Sequence, residues 1–92
     1  MPPMMLLMQI QGQMAKPGGV DAMINHPLMV AAREENANVD SFCTDVQNGG
    51  PMAALGHLGN ADTMSALTNL APKILADLEN GGASDDVDDM YD

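Results

Sequence analysis

The chain has 92 residues, a formal net charge of −10, and ten methionines against one Phe, one Tyr and no Trp. Its length allows one domain with a small, mostly aliphatic core. Because phosphate backbones and anionic lipids repel so acidic a chain, the composition argues against binding to nucleic acid or to a membrane surface.

The single cysteine, Cys43, rules out an intramolecular disulfide and a secreted disulfide scaffold. The longest apolar run, Met4 to Met8, is much shorter than the roughly 20 residues of a membrane-spanning helix. No basic region precedes that run, so it does not resemble a secretory signal. We therefore expect an intracellular protein of the cytosol or of an organelle, the plastid stroma included, with no direct membrane span.

Short helices separated by Pro, Gly and Asn, with no strand pattern, predict an all-α fold of five or six elements. The N-terminal segment, residues 1–19, predicts an apolar, Met-rich helix over about residues 3–15. Its first two turns are apolar nearly all round, so we expect it to be covered by a partner or packed across the other helices. The Lys-Pro-Gly-Gly sequence at 16–19 ends it, and a short helix is predicted over about 20–25.

His26 precedes Pro27 and marks the next boundary, because the residue before a proline is disfavoured in the helical conformation. We expect His26 to cap the helix that Pro27 begins. A further N-cap is offered between Asn38 and Asp40. The clearest amphipathic pattern in the chain follows at spacing i, i+3, i+4 and i+7, and consists of Val39, Phe42, Cys43 and Val46.

A short helix is predicted from Pro51, after the Asn-Gly-Gly stop at 48–50. Its apolar residues Met52, Leu55 and Leu58 face one way. Neither this helix nor the one that follows is long enough to stand alone, so we expect their apolar faces to lie close together.

The last helix is expected to be capped by Asn60 or Asp62. Pro72 predicts a kink or a restart, because its ring removes one hydrogen bond and clashes with the preceding turn. The Asn-Gly-Gly sequence at 80–82 is expected to end the helix. Residues 81–92 form an acidic tail, too highly charged to collapse, which we expect to be disordered when free.

The titratable side chains form no catalytic or metal-binding constellation in the sequence. His26 and His57 are the only histidines and Cys43 is the only thiol, whereas zinc sites need three or four ligands at suitable spacing. We expect His57 to be half-buried and Cys43 to be a small core residue, since no Lys or Arg adjoins the thiol. The sequence therefore predicts no enzyme, no metal and no cofactor.

Four blocks of sequence, taken in order, resemble a known family. The blocks are Met23-x-x-His26-Pro27-Leu28-Met29-Val30-Ala31-Ala32, then Asp45-Val46-Gln47-Asn48-Gly49-Gly50-Pro51-Met52, then Asn60-Ala61-Asp62-Thr63-Met64, then Leu67-x-x-Leu70-x-x-Lys73. Their order resembles the aspartate-proline-rich, or Sti-type, helical domain of the Hop/Sti and Hip co-chaperones, the ubiquilins and a plastid import co-chaperone. The resemblance covers about residues 20–78, within a predicted domain at 20–80.

The resemblance implies a hand-like groove of amphipathic helices that holds a hydrophobic helix or segment of a client protein. Methionine suits such a groove because its flexible, polarizable side chain adapts to varied partners. By analogy, the residues expected to bind the partner are Met23, Leu28, Met29, Phe42, Met52, Leu55, Met64 and Leu67. We expect four of these to be incompletely buried unless a partner covers them, namely Met52, Leu55, Met64 and Leu67.

A second hypothesis belongs to a different functional class. The chain would be a small structural or accessory subunit of a large multi-protein assembly, for example an organellar or photosynthetic membrane complex. Its apolar first helix would pack on a neighbouring subunit, and its acidic tail would dock on a basic surface.

Overall fold

The computed structural model describes the backbone of residues 3–91 and the side chains of residues 4–80. Within these residues the fold is all-α and contains no strand, which confirms the predicted fold class. A 3-10 helix, η1, spans Pro51–His57. The α-helices are α1 Pro3–Met14, α2 Gly19–Ile24, α3 Pro27–Glu35, α4 Ala37–Gly49 and α5 Ala61–Tyr91.

One hydrophobic core joins the helices. The amphipathic pattern of α4 is confirmed, because Val39, Phe42, Cys43 and Val46 are all buried. α5 contributes Leu67, Ala71 and Ile74 from one face, and α1 covers that face. The buried residues of α1 are Leu6, Leu7, Ile10 and Met14. The first helix was expected to be covered by a partner or packed across the other helices. Its inward face is packed across the other helices.

The start of α3 follows the prediction from the His-Pro sequence. His26 has extended backbone angles (φ −61°, ψ 137°), and Pro27 is the first helical residue. Nδ1 of His26 accepts a hydrogen bond of 3.1 Å from the backbone N–H of Leu28. This bond satisfies one of the N–H groups that a helix start leaves unpaired, so the predicted cap is confirmed.

The start of α4 corrects the predicted N-cap between Asn38 and Asp40. Asn36 is the actual cap, and its Oδ1 accepts a hydrogen bond of 2.9 Å from the backbone N–H of Asn38. Asn36 also closes α3, since its own N–H donates to the carbonyl of Ala32. The cap lies earlier than predicted because the extended backbone of one residue ends one helix and begins the next.

The approach of α1 to α2 depends on glycine. Gly18 has a φ of +72°, a left-handed conformation that favours glycine. At Gly19, a Cβ atom would lie 2.0 Å from the backbone carbonyl oxygen of Gln13. No other residue type fits at Gly19 without moving the end of α1 away from α2.

The last helix differs from the prediction at its end. Asn60 caps it as expected, because its Oδ1 accepts a hydrogen bond of 3.1 Å from the N–H of Thr63. Of the kink or restart predicted at Pro72, the restart does not occur, because α5 is continuous there. The helix passes through the glycines at 81–82 and ends at Tyr91 instead of stopping at them. Proline removes one donor while packing holds the neighbouring turns, and glycine weakens a helix without forbidding it. The side chains of the predicted acidic tail, residues 81–92, lie outside the described part of the chain.

None of the helices described in the structure combines the length and the apolar character that crossing a bilayer requires.

Candidate functional site

The eight residues predicted to bind a partner divide between the core and the surface. Leu28, Met52 and Leu55 are exposed to solvent. The other five are buried in the described chain, and they are Met23, Met29, Phe42, Met64 and Leu67. The structure therefore does not bring the eight side chains together on one open groove.

The expected exposure of Met64 and Leu67 is wrong, whereas the expected exposure of Met52 and Leu55 is confirmed. Met64 is 7% exposed and Leu67 is fully buried. Both lie on the face of α5 that continues through Ala71, and the chain itself covers that face. Helical spacing identifies an apolar face but not what covers it, and here α1 and α4 do so instead of a partner.

The exposed large apolar side chains concentrate on α1 and η1. Met4, Met5 and Met8 of α1 are each about half exposed or more. Met52 of η1 is the most exposed of all, at 69%. Among the eight methionines with described side chains, these four are exposed, and the other four, Met14, Met23, Met29 and Met64, are buried.

Sequence reasoning missed the methionines of α1, although a signal for them was present. Leu6, Ile10 and Met14 recur four residues apart, and this spacing marks the face that turns inward. Met4 and Met8 follow the same spacing on the opposite side. Two apolar faces on one helix look alike in sequence. Which of them belongs to the core depends on which face the other helices cover.

Gln11 joins the exposed parts of α1 and η1. Its Nε2 donates to the carbonyl of Pro51 at 3.4 Å and lies 3.7 Å from Sδ of Met52. Gln11 lies one helical turn beyond Met8, so Met8 and Met52 both lie near the Gln11 side chain. Leu55 follows Met52 by three residues, the spacing at which side chains of a 3-10 helix share a side.

We call this set the methionine surface: Met4, Met5 and Met8 on α1, with Met52 and Leu55 on η1. It has no formal charge, because neither Pro3–Met14 nor Pro51–His57 contains an acidic residue, a lysine or an arginine. Its polar neighbour Gln11 is an uncharged amide. Exposed apolar side chains on two elements in contact commonly mark a protein-interaction site.

A histidine at the end of η1 holds it against α4. Nε2 of His57 lies 2.6 Å from Oδ2 of Asp45. The imidazole ring also meets Phe42 edge-on, with ring centroids 5.4 Å apart and an angle of 75° between the planes. Such aromatic pairs contribute about 0.5–1.5 kcal/mol beyond the area they bury. The expectation of a half-buried histidine is confirmed, and its role is to position the helix that carries Met52.

Leu28 lies apart from this arrangement. It is exposed on α3 beside Val30, and α3 packs mainly on α2, α4 and α5. His26 at the start of α3 reaches Asp77 of α5, with Nε2 and Oδ2 2.5 Å apart. Because Nδ1 accepts from Leu28, the ring proton of the neutral form resides on Nε2, which donates to the carboxylate.

The thiol of Cys43 is fully buried, which confirms its expected place in the core. Burial raises its pKa to about 11, against a smaller opposing effect of the Arg33 charge and a smaller raising effect of Asp40. A thiol in this setting is a poor nucleophile, since the thiolate is the reactive form. Among the residues whose side chains are described, no three His, Cys, Asp or Glu residues lie together as a metal site would need.

Comparison with known protein families, curated proteins and solved structures finds no match to this chain. The fold and the surface thus define an all-α protein with an open, uncharged methionine surface. The resemblance to the Sti-type domain stays a prediction.

Proposed function

We propose that the chain is a non-catalytic protein-binding module, and that its methionine surface holds a hydrophobic helix or segment of a partner protein. The observation that supports this most is the segregation of exposed methionines onto α1 and η1. The proposal keeps the co-chaperone-like function that the Sti-type resemblance implies. It moves the binding site away from the five residues that the core encloses.

The chemistry of methionine suits this role. An unbranched thioether adapts its shape to different partners, and it covers apolar atoms without requiring one geometry. Covering an apolar side chain that is already half buried is worth roughly 1 kcal/mol. Five such side chains together give roughly 5 kcal/mol before the cost of association is subtracted, which corresponds to weak, sub-millimolar binding at most rather than to a permanent complex.

Charge bears on the identity of the partner. Each chain has a net charge of −10, so two copies repel one another. This repulsion disfavours a symmetric dimer through the methionine surface and favours a segment of a different protein. An uncharged or basic amphipathic helix meets both requirements, because it presents an apolar face without adding negative charge.

A second candidate function is that of a small structural subunit in a larger assembly. The observation that favours it is the outer face of α1, where Met4, Met5 and Met8 are exposed along one side of the first helix. In an assembly this face would be covered permanently by a neighbouring subunit. A permanent interface usually buries far more surface than a transient one, so the two functions differ in the affinity they predict.

Binding to a synthetic amphipathic helical peptide of about 16 residues, long enough to form a helix, tests the proposal. The peptide has leucine on one face, Ser and Gln on the other, and a fluorophore for anisotropy. We expect weak but saturable binding, in the sub-millimolar range. The double variant Met8→Gln/Met52→Gln is expected to bind about tenfold more weakly, because each change places an amide in the contact.

The control is Val30→Gln, which changes an apolar side chain on α3 that is also exposed, at 43%. It is expected to leave peptide binding unchanged. No binding by the natural chain would disprove the proposed function. An equal loss in the Val30 variant would show that binding does not depend on the methionine surface.

A further inference from the structure

The exposed thioethers of the methionine surface are open to a modification from which the other methionines with described side chains are protected. Thioether sulfur is oxidised by peroxide when solvent reaches it, and the product is a polar sulfoxide. Met4, Met5, Met8 and Met52 are between 47% and 69% exposed. The four buried methionines are at most 7% exposed, so the same reagent meets two different environments in one chain.

We propose that Met4, Met5, Met8 and Met52 form a selective oxidation site, and that their conversion to sulfoxides makes the methionine surface polar. A surface altered in this way no longer holds an apolar segment, so oxidation releases the partner. The release rests on the proposed function, whereas the selective oxidation does not.

The oxidant is a hydroperoxide, for example hydrogen peroxide. The sulfur lone pair attacks one peroxide oxygen, a new S–O bond forms and the O–O bond breaks. The sulfur loses two electrons and the peroxide gains them. The second oxygen leaves with both protons as water, so each methionine consumes one hydrogen peroxide and yields one sulfoxide and one water.

The usual competitor for peroxide in a protein is a cysteine thiolate. Here the only thiol, Cys43, is fully buried beside Phe42 and Val39. Its raised pKa, about 11, keeps it protonated at neutral pH. Peroxide therefore reaches exposed thioethers before it reaches a reactive thiolate.

Gln11 supports the oxidised form of Met52. Its Nε2 lies 3.7 Å from the sulfur in the reduced chain. A sulfoxide oxygen extends beyond the sulfur and is a strong hydrogen-bond acceptor, so the Gln11 amide is placed to donate to it. Oxidation at this position thus gains a hydrogen bond within the chain and loses apolar contact with a partner.

Restoration requires an external dithiol, such as that of a sulfoxide reductase. The dithiol supplies two electrons and two protons, its sulfurs join as a disulfide, and the sulfoxide oxygen leaves as water. The chain cannot do this itself, because it contains a single cysteine.

Selectivity is tested by treating the full chain with hydrogen peroxide and following each methionine by peptide mass spectrometry over time. We expect the four exposed methionines to oxidise at least about tenfold faster than Met14, Met23, Met29 and Met64. Circular dichroism shows whether the fold persists during the reaction. Equal rates for exposed and buried methionines in the folded chain would overturn the proposal.

Retention on a phenyl column measures the apolar surface without a partner. We expect retention to fall when the natural chain is oxidised. Two variants replace sulfur while keeping apolar volume: M8L/M52L, and the fourfold M4L/M5L/M8L/M52L. Peroxide is expected to change the retention of the fourfold variant less than that of the natural chain, and the double variant keeps the test available if the fourfold one does not fold. An undiminished fall in both variants would overturn the proposal.

Peptide binding then separates this proposal from the proposed function. The oxidised natural chain is expected to bind the helical peptide at least about tenfold more weakly than the reduced chain. For each leucine variant, the peptide affinity after peroxide is compared with the affinity of the same variant before peroxide. A difference in affinity between the variant and the natural chain therefore does not affect the test. If the reduced natural chain binds no peptide, the proposed function fails, while the oxidation rates and the column retention still decide whether the oxidation site exists. Full binding by the oxidised chain would overturn the release.

Discussion

Met29 on α3 is 1% exposed and Met52 on η1 is 69% exposed, although both follow a proline by one or two residues. In the core, methionine fills space between helices and has fixed neighbours. On the methionine surface the same side chain has water on one side and remains free to change shape. The difference shows that methionine content alone does not identify a binding site, because half of the described methionines stabilise the fold.

The sharpest test of this division is truncation of one methionine from each region. Met29→Ala is expected to lower the free energy of unfolding by about 3 kcal/mol, because it removes buried atoms and leaves a cavity. Met52→Ala is expected to change it by less than about 0.5 kcal/mol. Urea denaturation followed by circular dichroism measures both. Similar losses in the two variants would mean that the methionine surface is part of the core.

The boundary between the two regions depends on the placement of α1. Gly19→Ala is expected to destabilise the chain by about 2.5 kcal/mol, because the new Cβ meets the carbonyl of Gln13 and forces α1 from α2. Gly12→Ala is the matched control in open space within α1. It is expected to stabilise by up to about 1 kcal/mol, since alanine favours helix. Thermal melts of the two variants should shift in opposite directions.

Burial of Cys43 in the core makes the free energy of unfolding depend on pH. Its pKa is raised from 9.0 to about 11 in the folded chain, so the unfolded chain loses the thiol proton first. The stabilisation of the folded chain that results from this difference in pKa is fully present below pH 9 and is lost as pH rises towards 11. We expect a loss of about 2 kcal/mol over that window. Cys43→Ala removes this part of the dependence, and a slope unchanged by the substitution would assign it to other groups.

A smaller effect is expected at Asn36, which belongs to neither apolar region. Asn36→Ala removes the side-chain oxygen that accepts from the N–H of Asn38, at a cost of about 1 kcal/mol. Asn48→Ala, at an exposed position near the end of α4, serves as the control and is expected to be nearly neutral. Denaturant midpoints resolve the difference, and equal midpoints would show that the cap contributes little.

Much of the fold could be predicted because its signals are local. Proline at residues 27 and 51 fixes two helix starts, and the spacing of Val39, Phe42 and Val46 fixes the buried face of α4. These features depend on neighbours within a few residues along the chain. The Asn36 cap was missed because it requires knowing that two helices meet at one residue.

The site could be predicted only in part, because it depends on which face is covered. Met64 and Leu67 have the spacing of a binding stripe, yet α1 and α4 pack on it. Met4 and Met8 belong to a helix whose first two turns are apolar nearly all round. In both cases, elements distant in sequence determine whether a side chain is buried or exposed. Helical spacing does not show where those elements pack.

The two sides of the methionine surface differ in mechanical character. α1 is a regular helix of 12 residues whose inner face is fixed in the core. η1 is a 3-10 helix of seven residues, a form with poorer hydrogen bonds that rarely extends far. We therefore expect the α1 side of the surface to be stiffer than the η1 side. If the methionine surface binds helices as proposed, the η1 side would adjust to helices of different widths while the α1 side keeps its position.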